Sequence, residues 1–280
     1  MNVEAALAYA ERHELHALVV ARGEDVTFER YGSGYGATRA HPLYSGTKSF
    51  WGIAAVAAEE DGLLFLDERV CDTITEWRED IRKRVVTLRQ LLTLTSGIGF
   101  GGLGAAVPLY AAALEVQIRN EPGTTFTYGG IPLQVFGAVL ARKLAARKQT
   151  PHEYLRKRIL DPIGVQIEQW RALKDGTHPL PTGAFLTPHA WLAYGRYICR
   201  SRPVLAQCFN GTEVNPKYGL GWWLHPLAEP DIVYASGAAG QALYIIPSLD
   251  LVVVHFGKSN SWRHETFLNR LLEPHADRRS

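Results

Sequence analysis

Ser45 and Lys48, in the run Ser45-Gly46-Thr47-Lys48, are the residues whose types and spacing could do chemistry together. A separation of three on a helix puts both side chains on one face, about one turn apart. The stretch that follows, Ser49 to Ala58, is almost entirely apolar and predicts a buried helix. A lysine carried into such surroundings has its charged form disfavoured, so its pKa falls. A neutral amine one turn from a hydroxyl at a helix start is a base that can activate that hydroxyl as a nucleophile. The same four residues also fit a plainer arrangement, an N-cap serine and a lysine whose stem reaches solvent.

Other chemistries find less support. There is no Gly-x-Ser-x-Gly elbow, no phosphate-binding loop, and the ten histidines contain no His-Glu-x-x-His pair. No short Cys/His cluster is present, so neither a metal nor another cofactor is expected. Gly32 to Gly36 reads as a loop. Ser96 ends a helix before Gly97 and reads as a turn residue rather than a second nucleophile.

Positioning Ser45 and Lys48 needs a scaffold, and the residue pattern supplies one. Residues 2–15 predict a helix. His16 to Arg22 and Val26 to Tyr31 predict two strands joined by a Gly23-Glu24-Asp25 turn. From 67 to 201 the pattern is mainly helical, with helices from Thr87, from Ile131 to Arg147, from Pro151 and from Thr187-Pro188. Gly97 to Gly104 predicts a mobile, glycine-rich loop. Strands return at Tyr218–Leu224, Ile232–Ala235, Ala242–Ile246 and Leu251–Phe256, and a helix from Trp262 to Leu272 closes the chain. The expected fold is α+β: one antiparallel sheet built from both chain ends (1–66 and 202–280), flanked by helices, with 67–201 inserted as a mainly helical lobe and a cleft between them.

Composition sets bounds on function. The chain has 280 residues, 46% hydrophobic and 21% charged, with a net charge of +2. That balance is ordinary for a globular protein and implies no strong field for nucleic acid. The basic clusters Arg82-Lys83-Arg84 and Arg142 to Lys148 read as solvated helix surface. Cys71, Cys199 and Cys208 are too few for a disulfide scaffold and read as reduced core residues. No secretory leader and no membrane-spanning stretch is visible, so a cytoplasmic protein without membrane partners is expected. The oligomeric state is left open.

Several further stretches stand in a telling order: Leu43 to Phe50, Thr87 to Gly97, Glu121-Pro122-Gly123-Thr124-Thr125-Phe126-Thr127-Tyr128, Leu160 to Gly164, Tyr218-Gly219-Leu220-Gly221-Trp222-Trp223, and Gly237 to Gln241 before paired strands. Together they make the chain, from about 12 to 272, resemble the serine β-lactamase and penicillin-binding protein superfamily. The likeness is to class C β-lactamase-like esterases and 6-aminohexanoate-dimer hydrolases, and it implies a β-lactamase/transpeptidase-like fold over 1–280. It further implies Ser45 as the acylated nucleophile, Lys48 as its base or electrostatic support, and Tyr128 as the tyrosine of the family's Tyr-x-Asn element. The third element, a Lys- or His-Thr-Gly run, falls on Ala235-Ser236-Gly237. The backbone N–H groups of Ser45 and Ala238, the latter on the same strand, would form the oxyanion hole. Gly130, Ser236, Gly237 and Trp223 would line the substrate site.

Two departures stand out. Gly130 replaces the Asn that helps hold a substrate amide, and Ala235 replaces the cation that helps hold a penicillin-type carboxylate. Both losses leave Ser45, Lys48 and Tyr128 in place. The resemblance therefore implies an acyl-enzyme hydrolase of small esters or amides. A β-lactamase or D-amino-acid peptidase, and a catalytically silent binding protein, are the alternatives. Whether Lys48 or Tyr128 is the base stays open in the sequence. Trp222 and Trp223, adjacent on a strand, should face opposite ways, one into the core and one into a groove.

Overall fold

The computed structural model describes residues 1–99, 106–225 and 231–273. Six strands form one antiparallel sheet: β1 (Leu15–Arg22), β2 (Asp25–Tyr31), β6 (Trp223–Leu224), β7 (Val233–Ser236), β8 (Ala242–Ile246) and β9 (Leu251–Gly257). Their order is β2-β1-β9-β8-β7-β6, so the two ends of the chain meet at the β1–β9 pair in mid-sheet. The strands there, Leu-His-Ala-Leu-Val-Val-Ala-Arg and Leu-Val-Val-Val-His-Phe-Gly, are β-branched and buried on both faces. On one face lie α1 (Val3–Glu11) and α9 (His264–Leu272). The other face meets α8 (Pro188–Arg200) and the main core.

The sequence of strand 1 starts earlier than expected, because α1 ends at Glu11 rather than at residue 15. The expected strand Tyr218–Leu224 shrinks to Trp223–Leu224, since Gly219 and Gly221 fold the preceding segment into a turn. The middle of the chain is also not purely helical. It contributes β4 (Gln169–Trp170) and β5 (Ala184–Leu186), which pair with β3 (His41–Pro42) in a second, three-stranded sheet. Pieces two or three residues long carry no periodicity to read. The helices between are α2 (Ser49–Glu60), α3 (Val70–Thr73), α4 (Leu88–Leu92), α5 (Tyr110–Leu114), α6 (Ile131–Leu144) and α7 (Pro151–Leu155). Thr87, Thr150 and Thr187 cap α4, α7 and α8 by accepting from the backbone N–H three residues on. The expected mobile loop, 97–104, lies mostly outside the described residues.

Helix α2 is the central rod. Phe50, Trp51, Ile53, Ala54, Ala55 and Val56 are all buried. Burying one large apolar side chain contributes about 1.5–3 kcal/mol, so this helix is fixed from every side. Its first turn is pinned by polar contacts as well. Tyr194 Oη and Trp222 Nε1 each donate to the Ser49 carbonyl at 3.1 Å. The rod holds the residues just before it, where Ser45 and Lys48 stand.

Among the described residues no helix is long and apolar enough to cross a membrane. Cys71 and Cys208 are buried, Cys199 is half-buried, and all three are free thiols. The reading of Lys83 as solvated surface is corrected: the side chain is buried, donates to the Leu114 carbonyl at 2.8 Å and lies over the Trp77 ring.

Candidate active site

Ser45 and Lys48 do not sit in the α-helix itself. They occupy a 3₁₀ turn, Tyr44–Lys48, that runs directly into α2. In a 3₁₀ turn residues three apart eclipse, so the Ser-x-x-Lys spacing stacks one side chain over the other. Lys48 Nζ lies 2.8 Å from Ser45 Oγ. Tyr44, just before Ser45, has φ +46°, a left-handed conformation that costs a non-glycine residue energy and recurs at functional sites.

Lys48 is only 4% exposed. Its other contacts are the Pro181 carbonyl, 3.3 Å away, and the face of the Tyr128 ring, 4.9 Å from its centroid. Burial pulls its pKa from 10.5 down to about 7. No carboxylate offsets that fall, because none contacts the ammonium among the described residues.

Tyr128 lies on the loop between Pro122 and α6. Burial raises its phenol above the ordinary value, while the Ser45 hydroxyl and the Trp223 indole oppose the rise. Trp223 stacks on it with centroids 5.5 Å apart. Phe126 and Tyr218 pack around the same pair, making an aromatic wall beside Ser45 and Lys48. Of the two tryptophans, only Trp223 lies on the strand; Trp222, just before it, is fully buried in the core and Trp223 is half-buried.

Strand β7 forms the opposite border. Two-residue β6 pairs only with Val233 and Tyr234, so the backbone of β7 beyond Tyr234 is an uncovered edge. Gly237 brings that edge against the chain leading to Ser45: a Cβ there would stand 2.1 Å from the Leu43 carbonyl oxygen. Ala238 falls in the 3₁₀ turn after β7 rather than on the strand, because Ala239 turns back at φ +60°. Neither the Ser45 nor the Ala238 N–H donates to a described group. Ser236 is half-buried and Ala235 buried, so the family's cation position points into the core. A Cβ on Gly130 would meet Pro181 at 3.0 and 3.1 Å. The place of the family's Asn is therefore crowded by the proline whose carbonyl contacts Lys48.

The sequence reading missed how that carbonyl is held. Gln134, fully buried in α6, donates to Pro108 O at 2.6 Å and accepts from Leu180 N at 2.8 Å. Trp51 Nε1 donates to Leu180 O at 2.7 Å. A lone glutamine within Ile-Pro-Leu-Gln-Val-Phe-Gly-Ala-Val-Leu was the available signal, since a buried amide requires partners.

No curated protein matches the chain in sequence. Solved structures do match in fold. A protein assigned as a 6-aminohexanoate-dimer hydrolase from Bacillus anthracis superposes with a TM-score of 0.80 at 19% identity, over 95% of this chain and 80% of its own. A D-stereospecific amidohydrolase from Streptomyces sp. gives 0.73 at 14% identity, over 96% and 98%. A class C beta-lactamase from Rhodobacter sphaeroides gives 0.73 at 15% identity, over 96% of both. The beta-lactamase family model matches residues 5–189, the stretch that carries Ser45, Lys48 and Tyr128. With its antiparallel sheet, its central helix and that match, the chain belongs to the beta-lactamase family, within the superfamily of serine β-lactamases and penicillin-binding proteins.

Proposed function

We propose that this protein is a serine hydrolase that cleaves small esters or amides through an acyl-enzyme on Ser45. The observation that carries the reading is the buried Lys48 amine 2.8 Å from the Ser45 hydroxyl, with its pKa lowered to about 7. Half of such an amine is neutral near pH 7 and can take the Ser45 proton as Oγ bonds to the substrate carbonyl carbon. The Tyr128 phenol is shifted the other way, so it stays protonated and serves as the acid that protonates the leaving group. Two groups driven apart in this way divide the base and acid roles. The Ser45 and Ala238 N–H groups would receive the oxyanion, and removing one such donor costs about 100- to 1,000-fold in rate. Lys48 then returns its proton through Tyr128. Water attacks the acyl carbon, Ser45 leaves with a proton, and the acid is released.

Esters and simple amides fit better than β-lactams. Pro181 crowds the space of a substrate-holding amide at Gly130, and Ala235 offers no cation to a carboxylate. The reading is tested by p-nitrophenyl butyrate hydrolysis in the wild type and in Ser45→Ala. Loss of activity in the variant supports the nucleophile; equal activity in both sinks it. Hydrolysis of a chromogenic cephalosporin as fast as the ester would favour the β-lactamase alternative.

A further inference from the structure

A second serine with a nitrogen partner lies on β7, next to the Gly237 that packs against the chain leading to Ser45. Ser236 Oγ lies 2.8 Å from His264 Nε2, and His264 Nδ1 lies 2.8 Å from Tyr244 Oη. Trp262 Nε1 lies 3.1 Å from the same Tyr244 oxygen. The direction of each bond follows from the ends. An indole N–H can only donate, so Tyr244 accepts from Trp262. Tyr244 is fully buried, and His264 Nδ1 is the acceptor within reach of its hydroxyl proton. The reverse arrangement would leave that proton buried without a partner, at the full cost of desolvation. His264 is kept neutral at pH 7 by desolvation. Its single ring proton therefore sits on Nε2 and is donated to Ser236.

Ser236 thus accepts from His264 with one lone pair, and its own O–H has no acceptor among the described residues. It is half-buried and lies on the same face of β7 as Tyr234. The Tyr234 ring packs against His264 on one side and Trp223 on the other, and Trp223 stacks on Tyr128. Ser236 therefore continues the aromatic wall that begins at the Ser45 centre. Neither Ala235, which is apolar, nor the neutral His264 supplies a cation to Ser236. The exposed Glu265 carboxylate is near enough to add to the rise that burial imposes on the Tyr234 phenol.

We propose that His264, oriented by Tyr244 and Trp262, is a positioning residue that fixes the Ser236 hydroxyl as a hydrogen-bond donor to a neutral oxygen, a carbonyl or ether, on the substrate's acyl part. This rests on the acyl-enzyme reading above. An anionic carboxylate is disfavoured at this position by the lack of a cation and the nearby Glu265.

Two measurements on the full chain test it. The first is the His264 tautomer, from two-bond proton–nitrogen correlations at pH 7, assigned by its absence in His264→Gln. Protonated Nε2 is expected; protonated Nδ1 overturns the proposal. The second compares three esters: p-nitrophenyl 4-oxopentanoate with a neutral ketone, p-nitrophenyl pentanoate without one, and p-nitrophenyl hemisuccinate with a carboxylate. One hydrogen bond should give the keto ester a KM about five- to tenfold lower than the plain ester, with kcat little changed. Ser236→Ala and His264→Leu should each erase that preference, and the double variant should erase no more. His264→Gln, which keeps an N–H, should retain part of it, separating orientation from folding. A preference for the hemisuccinate, or a keto preference that survives His264→Leu, overturns the proposal alone. Equal hydrolysis by Ser45→Ala, or no hydrolysis of any ester by the wild type, sinks the acyl-enzyme reading and the substrate contact with it, whatever the tautomer.

Discussion

Two lysines are buried among the described residues, and they are buried differently. Lys48 and Lys83 are 4% and 6% exposed, each beside a backbone carbonyl and each over an aromatic ring. The Asp80 carboxylate accepts from the Lys83 backbone N–H at 3.0 Å, and that bond is the first cause holding its carboxyl below the usual range, with the Lys83 charge adding less. Lys48 has no such partner and instead faces a hydroxyl. A buried lysine with no charged partner is pushed toward the free amine. Burial alone does not make a base; the company kept in burial does.

The comparison breaks most visibly in activity. Lys48→Ala should lower kcat/KM for p-nitrophenyl butyrate by about 100- to 10,000-fold, the usual worth of a positioned base. Lys83→Met should leave kcat/KM within a few-fold. Its cost should appear in denaturant unfolding, at about 0.5–1.5 kcal/mol for one lost hydrogen bond, since Trp77 Nε1 still donates to the Leu114 carbonyl at 3.1 Å. Similar activity losses for both variants would erase the distinction.

The pH dependence sharpens it. With neutral Lys48 as the proposed base, kcat/KM should rise with pH through about 7 and then level. Stability should move in the same direction. The folded chain releases the Lys48 proton near 7, while the unfolded chain holds it to about 10.5, so the unfolded state binds more protons in that window. Stability from this group therefore rises with pH between about 7 and 10.5. Lys48→Met should remove that slope. Parallel stability–pH curves for wild type and Lys48→Met would count against the shift.

Smaller effects test the walls of the site. Gly130→Asn, although it restores the family residue, should not bring β-lactam hydrolysis. The new Cβ would press on Pro181, and esterase activity should drop several-fold instead. Trp223→Ala should raise KM for aromatic acyl esters by about two- to tenfold, since a stacked aromatic pair contributes about 0.5–1.5 kcal/mol. Cephalosporin hydrolysis gained by Gly130→Asn would contradict the steric account, and an unchanged KM in Trp223→Ala would remove the wall from the binding site.

What could be read from residues alone was what repeats or stands in a fixed order. The near-continuous apolar runs of β1, β8 and β9, the apolar run of α2 and the Ser45–Lys48 spacing are all local features of the chain. The 3₁₀ turn that eclipses the pair depends on the left-handed turn at Tyr44, which no residue type announces. The Pro181 carbonyl lies 133 residues from Lys48 and is placed by Gln134 and Trp51. Lys83 looked like part of a basic surface run because its burial comes from Trp77 and Leu114, contacts set by tertiary packing. The Ser236–His264–Tyr244–Trp262 chain likewise joins residues from β7, β8 and the segment entering α9.

The most direct test of the central claim is the rate at which a fluorophosphonate labels the protein, followed by peptide mass mapping across pH 5 to 9. The account predicts a single adduct on Ser45, a labelling rate that rises through about pH 7, and near-complete loss of labelling in Lys48→Met but not in Lys83→Met. An adduct on another residue, or labelling of Ser45 that is indifferent to Lys48, would contradict it.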